Sequence, residues 1–297
     1  MSPIELPDDR FVLDSAQVRR SFDRASTEYD RAAILQADVR ARLLARLQYV
    51  KLTPTLVVDA GCGTGHASRA LKRSYPRARV IALDIAPGML RAAGRQRGWF
   101  RRFDRVCADA AHLPLADASV DLLFSNLMLQ WCNDPDALFA EFRRVLKPHG
   151  VLSFSTFGPD TLKELRAAWA SVDDYTHVNR FIDMHDLGDA LMRARLAEPV
   201  LDVENFTLTY GDVLALMKDL KAIGAHNVTA GRPAGLTGRG KLQAMTAAYE
   251  QRRTDGRLPA TYEVVYGQAW GQTPERPRQT AGEVRIPASS IGYRLKE

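Results

Sequence analysis

The sequence predicts an α/β protein built on a doubly wound, mostly parallel β-sheet. Between residues 55 and 156, five short runs rich in Val, Ile, Leu and Phe alternate with segments long enough to form helices. The runs are apolar at consecutive positions, which is typical of strands that are buried on both faces of a parallel sheet. A glycine-rich stretch at residues 61–65 follows the first run and precedes a helical segment, as in ligand-binding βαβ units.

The runs and the segments between them give the order of elements in this core. Strands are predicted at residues 55–60, 79–84, about 104–108, 120–126 and 151–156, and helices at residues 65–75, 87–96 and 135–146. The last helix begins at Asp134-Pro135, where an N-cap residue precedes a proline at the first helical position, and it should end at residues 147–150.

Both flanks of the core are predicted to belong to the same domain, which spans residues 1–271. Apolar residues recur every three or four positions within residues 15–48, which predicts two helical stretches that cover the core at residues 55–156. In the substrate and lid region, residues 157–271, we expect helices at 160–170, 185–195, 212–223 and 239–253 and strands at 200–210 and 261–270. The two strands should close the same sheet, with the helices between them as an inserted lid. The proline-containing tail at residues 272–297 is expected to be flexible.

The composition excludes several classes of protein. Of 297 residues, 46% are hydrophobic and 26% are charged, which is ordinary for a soluble folded protein. No apolar run approaches the roughly 18 residues of a membrane span, and the first residues lack the features of a signal peptide. Cys62, Cys107 and Cys132 have no metal-like spacing and fit a reducing compartment. We therefore expect a cytoplasmic protein without a metal site and without membrane contact.

The strongest local signal is the stretch from Val57 to Gly65, with the sequence VVDAGCGTG. A buried strand leads into Gly61, Gly63 and Gly65, and glycines let a ligand approach the main chain closely. A tight turn without a ligand is the alternative. The third glycine comes one residue earlier than in the dinucleotide fingerprint, and the carboxylate of Asp59 would repel a pyrophosphate. A cationic ligand without phosphate, such as S-adenosylmethionine, suits this charge better than a nicotinamide dinucleotide.

Two further acids follow neighbouring strands. Asp84 ends the second predicted strand, where an acid in such folds binds ribose hydroxyls, and Asp109 follows the third, where it can accept from an adenine amino group. Each acid alone is equally well explained as a helix cap or turn residue. Three acids at successive strand ends favour a ligand at the carboxyl edge of the sheet.

Four motifs in this region resemble class I S-adenosylmethionine-dependent methyltransferases: VVDAGCGTG, LDIAPGML, CADAAHLPL and FSNLMLQW. The resemblance spans about residues 55–156 and implies a seven-stranded sheet. It implies that the three glycines pass near the methionine moiety of the cofactor, that Asp84 lies at the ribose, and that Asn126 lies beside the methionine. The complete cofactor set that it implies is Asp59, Gly61, Cys62, Gly63, Gly65, Asp84, Ile85, Met89 against the adenine ring, Asp109 and Ala110 at the adenine, and Asn126.

Motifs outside the core narrow the resemblance. FDRASTEYDRAAILQ, HVNRFIDMHDLGDAL and LPATYEVVYGQAW, within about residues 15–270, resemble the malonyl-acyl-carrier-protein O-methyltransferase family of biotin synthesis. This implies methylation of the free malonyl carboxylate on an acyl carrier protein, or on coenzyme A, leaving S-adenosylhomocysteine and an ester that primes pimeloyl synthesis. The FGPDTL-type stretch is shared with a complex I assembly factor family. That second likeness implies a protein-arginine hydroxylase or a non-catalytic cofactor-binding assembly factor as the alternative.

Three residues are candidates for substrate contacts. Arg180 can grip a carboxylate through a bidentate pair, with a surface salt bridge as the alternative. Tyr29 can hydrogen-bond substrate or cofactor, or it can pack a helix on the sheet. Gln130, with Trp131, can line the methyl-transfer pocket, although an aromatic there is more often part of the core. His185 has acids beside it but no second histidine at ligand spacing, which argues against a metal.

The charge distribution bears on the partner. The chain has 41 Lys and Arg against 35 Asp and Glu, and residues 91–105 contain six arginines. A second basic group lies within residues 232–257. Such runs usually decorate a solvated face, but beside the active site they would steer an acidic acyl carrier protein. A net charge of +6 without an aromatic-rich basic stripe argues against nucleic acid as the partner.

Overall fold

The computed structural model describes residues 11–98, 102–225, 227–232, 235 and 237–272 of the chain. In these residues the strands are β1 (Leu56–Ala60), β2 (Arg79–Asp84), β3 (Asp104–Cys107), β4 (Val120–Asn126), β5 (Leu146–Phe157), β6 (Ala197–Tyr210) and β7 (Leu258–Trp270). The helices are α1 (Ser15–Ala25), α2 (Tyr29–Ala32), α3 (Ile34–Arg46), α4 (His66–Ser74), α5 (Pro87–Gln96), α6 (Pro135–Val145), α7 (Lys163–Ala170), α8 (Met184–Arg193), α9 (Val213–Ala222) and α10 (Arg239–Glu250).

The strands form one sheet in the order β3-β2-β1-β4-β5-β7-β6. Neighbours from β3 to β5 pair in parallel, whereas β7 is antiparallel to both β5 and β6. The winding direction reverses between β1 and β4, and the carboxyl ends of strands at such a point border a ligand-binding crevice. The doubly wound, mostly parallel seven-stranded sheet expected from the sequence is confirmed.

Two apolar layers cover the sheet. Val57 and Val58 are adjacent in β1, are both 0% exposed, and belong to opposite layers, as the alternation of side chains along a strand requires. The first layer contains apolar residues of α3, α7 and α10, and the second contains those of α6 and α8. Burial on both faces explains why the core strands read as continuous apolar runs.

The end of α6 differs from the sequence expectation. The helix starts as predicted, because Asp134 accepts a hydrogen bond from the backbone N–H of Ala137 at 2.9 Å and proline follows it. It ends at Val145, and residues 147–150, expected to terminate the helix, already belong to β5. Gly271 explains the early start of the strand, since it accepts from the N–H of His149 at 3.0 Å and donates to Gly150 O at 2.7 Å. This partner lies far away in the sequence.

The N-terminal segment contains three helices where two stretches were predicted. The four-residue helix α2 lies between α1 and α3, and the backbone N–H of Gly88 in α5 donates to the carboxylate of Asp23 in α1. A Cβ atom on Gly88 would lie 2.8 Å from Ser26 Oγ, so the missing side chain lets α1 approach α5 closely. The segment is thereby held over the carboxyl-edge side of the sheet.

The region after β5 follows the predicted order. Strands β6 and β7 close the sheet, and α9 and α10 lie between them in the chain, as expected for an inserted segment. None of the helices in the described ranges combines the length and the apolarity needed to cross a membrane. Apart from Gln272, the tail predicted to be flexible lies outside the described residues.

The contact between Gly267 and Phe154 provides a test of the sheet packing. A Cβ atom at Gly267 in β7 would overlap the Phe154 ring of β5, which is 0% exposed. We expect Gly267→Ala to lower the free energy of unfolding by about 1–3 kcal/mol, the usual cost of overpacking. Denaturant titration measures this change. Gly240→Ala, at an exposed position of α10 with open space around the new methyl group, is the control and should cause no loss.

Candidate cofactor and substrate site

The glycine loop between β1 and α4 has the backbone that a ligand cradle requires. Gly61, Gly63 and Gly65 have φ angles of 72°, 52° and 84°, in the left-handed region that glycine tolerates best. A Cβ atom on Gly61 would lie 2.6 Å from Met128 Cβ, and one on Gly65 would lie 2.7 Å from Ala93 Cβ. A Cβ atom on Gly63 would meet nothing within 4 Å. The space next to the middle glycine is therefore open to a ligand.

Asp84, at the end of β2, fixes the conformation of this loop. Its carboxylate accepts hydrogen bonds from the backbone N–H of Gly63 at 2.9 Å and of Ala86 at 2.8 Å. The side chain is 8% exposed, and burial raises the pKa of Asp84 to about 6 against the opposing effect of these hydrogen bonds. Because an ionised carboxylate has about four acceptor positions, Asp84 keeps capacity for ribose hydroxyls.

Asp59, near the end of β1, has an acceptor that the protein does not satisfy. Its Oδ2 accepts from the Ser68 hydroxyl, whereas its Oδ1 is buried without a hydrogen-bond partner in the described part of the chain. The residue is 1% exposed, and burial raises its pKa to about 7, with the Ser68 hydrogen bond opposing and the charge of Asp84 adding to the shift. A buried, unpaired carboxylate oxygen is costly unless a cation reaches it.

The N-terminal segment lies against the glycine loop. Asp30 in α2 accepts from the Thr64 hydroxyl at 2.6 Å and contacts His66 Nε2 at 3.1 Å. The neighbouring Tyr29 is partly buried, and burial together with the charge of Asp84 raises the pKa of the Tyr29 hydroxyl well above its usual range. The hydroxyl therefore keeps its proton at neutral pH and is available as a hydrogen-bond donor. Tyr29 thus lies near Asp84, and its predicted contact with substrate or cofactor stays a prediction.

Arg40 in α3 belongs to this group, and the sequence analysis missed it. The side chain is partly buried and has no ion pair or hydrogen bond to any described residue. Burial lowers the pKa of Arg40, and the charge of Asp59 is the largest opposing effect, followed by that of Tyr29. Within an amphipathic helix pattern, this arginine reads as an ordinary surface residue. Its position beside buried acids is a tertiary property.

The residues expected at the adenine are less open. Asp109 is exposed and accepts from the N–H of Ala111 at 2.9 Å through Oδ1, which leaves its second oxygen available. Ala110 is 7% exposed and Met89 is 1% exposed, so both side chains are covered by protein. Ile85 is partly exposed. Their contacts with an adenine ring stay predictions.

Asn126 connects the cofactor edge to α3. Its Oδ1 accepts from the Ser155 hydroxyl at 3.1 Å, and its Nδ2 donates to the backbone oxygen of Gln36 at 3.4 Å. Gln130 braces the turn that follows, since its Nε2 donates to Leu127 O at 2.7 Å and its Oε1 accepts from the Thr156 hydroxyl at 3.3 Å.

A cavity of about 60 Å³ lies next to this turn, between β5, α3 and the segment that follows α7. Gln130 and Trp131 line the cavity, and their predicted place in a methyl-transfer pocket stays a prediction. Most of its wall is apolar, and its lining comprises Gln36, Gln130, Trp131, Phe157, Thr161, Leu162, Leu165, His177, Val178, Asn179, Phe181, Leu220, Ile223, Ala225, Asn227 and Tyr262.

Arg180 does not line this cavity. The side chain is exposed, and its guanidinium lies 5.7 Å from the centroid of the Phe11 ring. Its predicted grip on the substrate carboxylate stays a prediction that the geometry does not favour. His185 is also at the surface, with Nδ1 at 2.8 Å from Asp183 Oδ1, and the described residues contain no cluster of three metal-binding side chains.

Several of the arginines and lysines predicted to steer a partner make contacts within the protein. Arg105 donates to Leu90 O at 2.6 Å, and Arg91 lies 3.6 Å from a carboxylate oxygen of Asp23. In the second basic group, Lys241 pairs with Asp173 at 2.8 Å. Arg101 lies outside the described residues. The formal charge thus overstates the free positive surface.

Comparison with known proteins agrees with this geometry. The "Methyltransferase domain" family model matches residues 58–154, the part of the chain that holds the glycine loop and its acids. The malonyl-[acyl-carrier protein] O-methyltransferase of Methylovorus sp. is 60% identical over 268 residues, which cover 88% of this chain and 90% of that protein. The enzyme of the same name from Laribacter hongkongensis is 55% identical over 93% of this chain and 96% of that protein.

The chain belongs to the malonyl-[acyl-carrier protein] O-methyltransferase family. A solved structure supports the fold at lower identity. Haemonchus contortus phosphoethanolamine N-methyltransferase 2, solved in complex with S-adenosyl-L-methionine, is 17% identical, with a TM-score of 0.53 over 84% of this chain and 57% of that chain. The class I methyltransferase fold inferred from the four core motifs is confirmed.

The raised pKa of Asp59 makes a prediction about the ligand-free protein. The folded pKa of about 7 lies above the ordinary value of 3.8, so the folded state binds more protons than the unfolded state between these pH values. The contribution of Asp59 to the free energy of unfolding therefore falls as pH rises from about 4 to about 7. We expect the stability gain of Asp59→Asn over the wild type to be larger at pH 8 than at pH 5 by on the order of 2 kcal/mol.

Urea denaturation at both pH values measures this difference. Asp174→Asn, at an exposed position, controls for the change in net charge. Equal effects of Asp59→Asn at pH 5 and pH 8 would show that the carboxylate is ionised at no cost in the folded protein.

Proposed function

We propose that this chain transfers a methyl group from S-adenosylmethionine to the free carboxylate of malonyl-[acyl-carrier protein]. The observation that carries the chemistry is the unpaired, buried Oδ1 of Asp59 next to an open glycine loop, because a cationic ligand with N–H donors would both pair this oxygen and favour the ionised carboxylate. The substrate follows from family membership at up to 60% identity over most of the chain. Use of malonyl-coenzyme A in place of the carrier is part of what the experiment below decides.

Residues of three elements fit the cofactor. Asp59 would hold its ammonium group, Asp84 the ribose hydroxyls, and the unpaired guanidinium of Arg40 the carboxylate of the methionine moiety. When bound, S-adenosylmethionine supplies an electrophilic methyl group on a positively charged sulfur. Tyr29 and Asn126 lie at the same edge of the sheet and would hold the hydrogen-bonding groups of the cofactor in place.

The cavity wall provides what a carboxylate nucleophile needs. A malonyl carboxylate, with an ordinary pKa of about 4, is ionised at neutral pH and requires no general base. It requires partial removal of water and alignment with the methyl group, and alignment alone can supply effective molarities of about 10⁵ M or more. Phe157, Leu165 and Phe181 give the cavity an apolar wall, which would displace water from a bound carboxylate. Because the transfer cancels opposite charges, a low-dielectric wall favours it.

Gln130 helps to define the shape of the cavity wall. Both of its polar atoms are engaged by Leu127 O and the Thr156 hydroxyl, so it fixes the turn after β4 while its side chain lines the wall. Its predicted place beside the transferred methyl group fits this geometry. The role that we propose for Gln130 is one of positioning, since both of its polar atoms are engaged within the protein.

The direct test is methylation of malonyl-carrier protein by the purified chain, followed by intact mass spectrometry. We expect the mass of the carrier to increase by one methylene unit with S-adenosylmethionine, and acetyl-carrier protein, which lacks the free carboxylate, to stay unchanged. Malonyl-coenzyme A in a parallel reaction measures the preference for the carrier. Cofactor binding without mass gain on any malonyl thioester would contradict the proposal.

The proposed role of Arg40 is tested by calorimetric titration with S-adenosylhomocysteine. Arg40→Met removes the cation but keeps much of the aliphatic stem, and we expect affinity to fall about tenfold or more, the usual value of a charge-assisted hydrogen bond. Arg19→Met, at an exposed position of α1, is the matched control and should retain wild-type affinity. Equal affinities of the two variants would remove Arg40 from the cofactor site.

A further inference from the structure

Most polar side chains that line the cavity have partners within the protein. The Thr161 hydroxyl donates to Glu263 O at 3.0 Å, and Asn227 Oδ1 accepts from the N–H of Thr229 at 2.9 Å. His177 Nε2 lies 2.7 Å from Asp173 Oδ1, and the His177 ring stacks on Trp169 at a centroid distance of 3.8 Å. These groups form the fixed wall.

Gln36 and Asn179 differ from the rest of the wall. They are 9% and 8% exposed, and neither side-chain amide makes a hydrogen bond to any described residue. Asn179 Oδ1 is buried without a partner. Buried amides in folded proteins are almost always hydrogen-bonded, because an unmade bond costs about 1–3 kcal/mol. In the described part of the chain the side-chain N–H groups of both amides are therefore unpaired donors on one cavity wall, and donors point to a ligand that carries acceptor oxygens.

The two amides come from separate parts of the chain. Gln36 lies in α3, and its backbone oxygen accepts from Asn126 Nδ2, which places the residue where the cavity meets the cofactor edge. Asn179 lies in the segment between α7 and α8, next to Val178, which also lines the cavity. A ligand between them would be held from α3 on one part of the wall and from the lid region on another.

We propose that the amide N–H groups of Gln36 and Asn179 bind the carboxylate of the malonyl group and orient it for methyl transfer. This inference rests on the function proposed above. A carboxylate is the polar end of the acyl group, and each amide offers two N–H donors to its two oxygens. The residues that line the described cavity include no lysine or arginine, so the carboxylate is oriented by neutral donors.

Neutral donors suit the reaction. A new bond forms between a carboxylate oxygen and the methyl carbon, the methyl–sulfur bond breaks, and its electron pair stays on sulfur. No proton moves. A guanidinium paired with the carboxylate would stabilise the negative charge that the transfer consumes, and so it would stabilise the substrate more than the transition state. Amide groups fix the direction of the oxygen lone pairs with less of this effect, because hydrogen bonds between neutral and charged partners are weaker than ion pairs.

The experiment compares Gln36→Leu and Asn179→Leu with the wild type. Both changes leave a branched apolar side chain in place and remove the donors, and Gln243→Leu, at an exposed position of α10, is the matched control for Gln36→Leu. We expect kcat/KM for malonyl-carrier protein to fall about tenfold to hundredfold in each cavity variant and to stay unchanged in the control. The inhibition constant of acetyl-carrier protein, which has no carboxylate, and the calorimetric affinity for S-adenosylhomocysteine should change less than about threefold.

A second pair of variants separates charge from packing. Gln36→Glu and Asn179→Asp keep the shape of the amides and place a negative charge against the substrate carboxylate, so they should lose at least as much kcat/KM as the leucine variants. Unchanged kcat/KM in the cavity variants would overturn the inference. A change in the inhibition constant of acetyl-carrier protein as large as the change in kcat/KM for malonyl-carrier protein would overturn it as well. So would a loss of affinity for S-adenosylhomocysteine. A wild-type protein that does not methylate malonyl carrier would instead overturn the proposed function.

Discussion

Two carboxylates buried at the ends of adjacent parallel strands are the constraint on which the site depends. Asp84 is satisfied by the N–H groups of Gly63 and Ala86 and so determines the shape of the glycine loop. Asp59 receives one hydroxyl from Ser68 and keeps a buried oxygen without a partner in the described chain. Burial raises the pKa of both acids, so the folded protein holds them ionised only at a cost in stability. A cationic ligand would offset that cost. The two buried acids therefore favour a cationic ligand over a neutral or anionic one.

The core that the family model matches, residues 58–154, is only part of this arrangement. Groups outside that range complete the site. Asp30 attaches α2 to Thr64 in the glycine loop, and Arg40 places an unpaired cation near Asp59. Asn179, from the lid region, contributes an unpaired amide to the cavity. The sheet edge thus provides the glycine loop and its acids, and the flanking segments provide the other groups of the proposed site.

The sequence predicted those features that depend on neighbours along the chain. Strand β2 (Arg79–Asp84) has the predicted limits because an apolar run buried on both faces needs no knowledge of its partners. The start of β5 was missed because it depends on Gly271, more than a hundred residues later. Gln36 and Arg40 were missed for the same reason, since an amide or a cation in a helical pattern reads as solvent-facing. Only the folded chain shows that their side chains lack partners beside a ligand site.

Arg180 illustrates the same difference between residue type and environment. Its guanidinium is the most obvious carboxylate ligand in the sequence, yet it lies in solvent beside Phe11, where an ion pair contributes about 0–1 kcal/mol and is screened by salt. Asn179, one residue earlier, has a weaker donor but is 8% exposed and lies in the mostly apolar cavity wall. In a reaction that consumes the charge of its nucleophile, a dry and neutral environment contributes more than an exposed cation. The cavity therefore favours Asn179 over Arg180 for the contact with the substrate carboxylate.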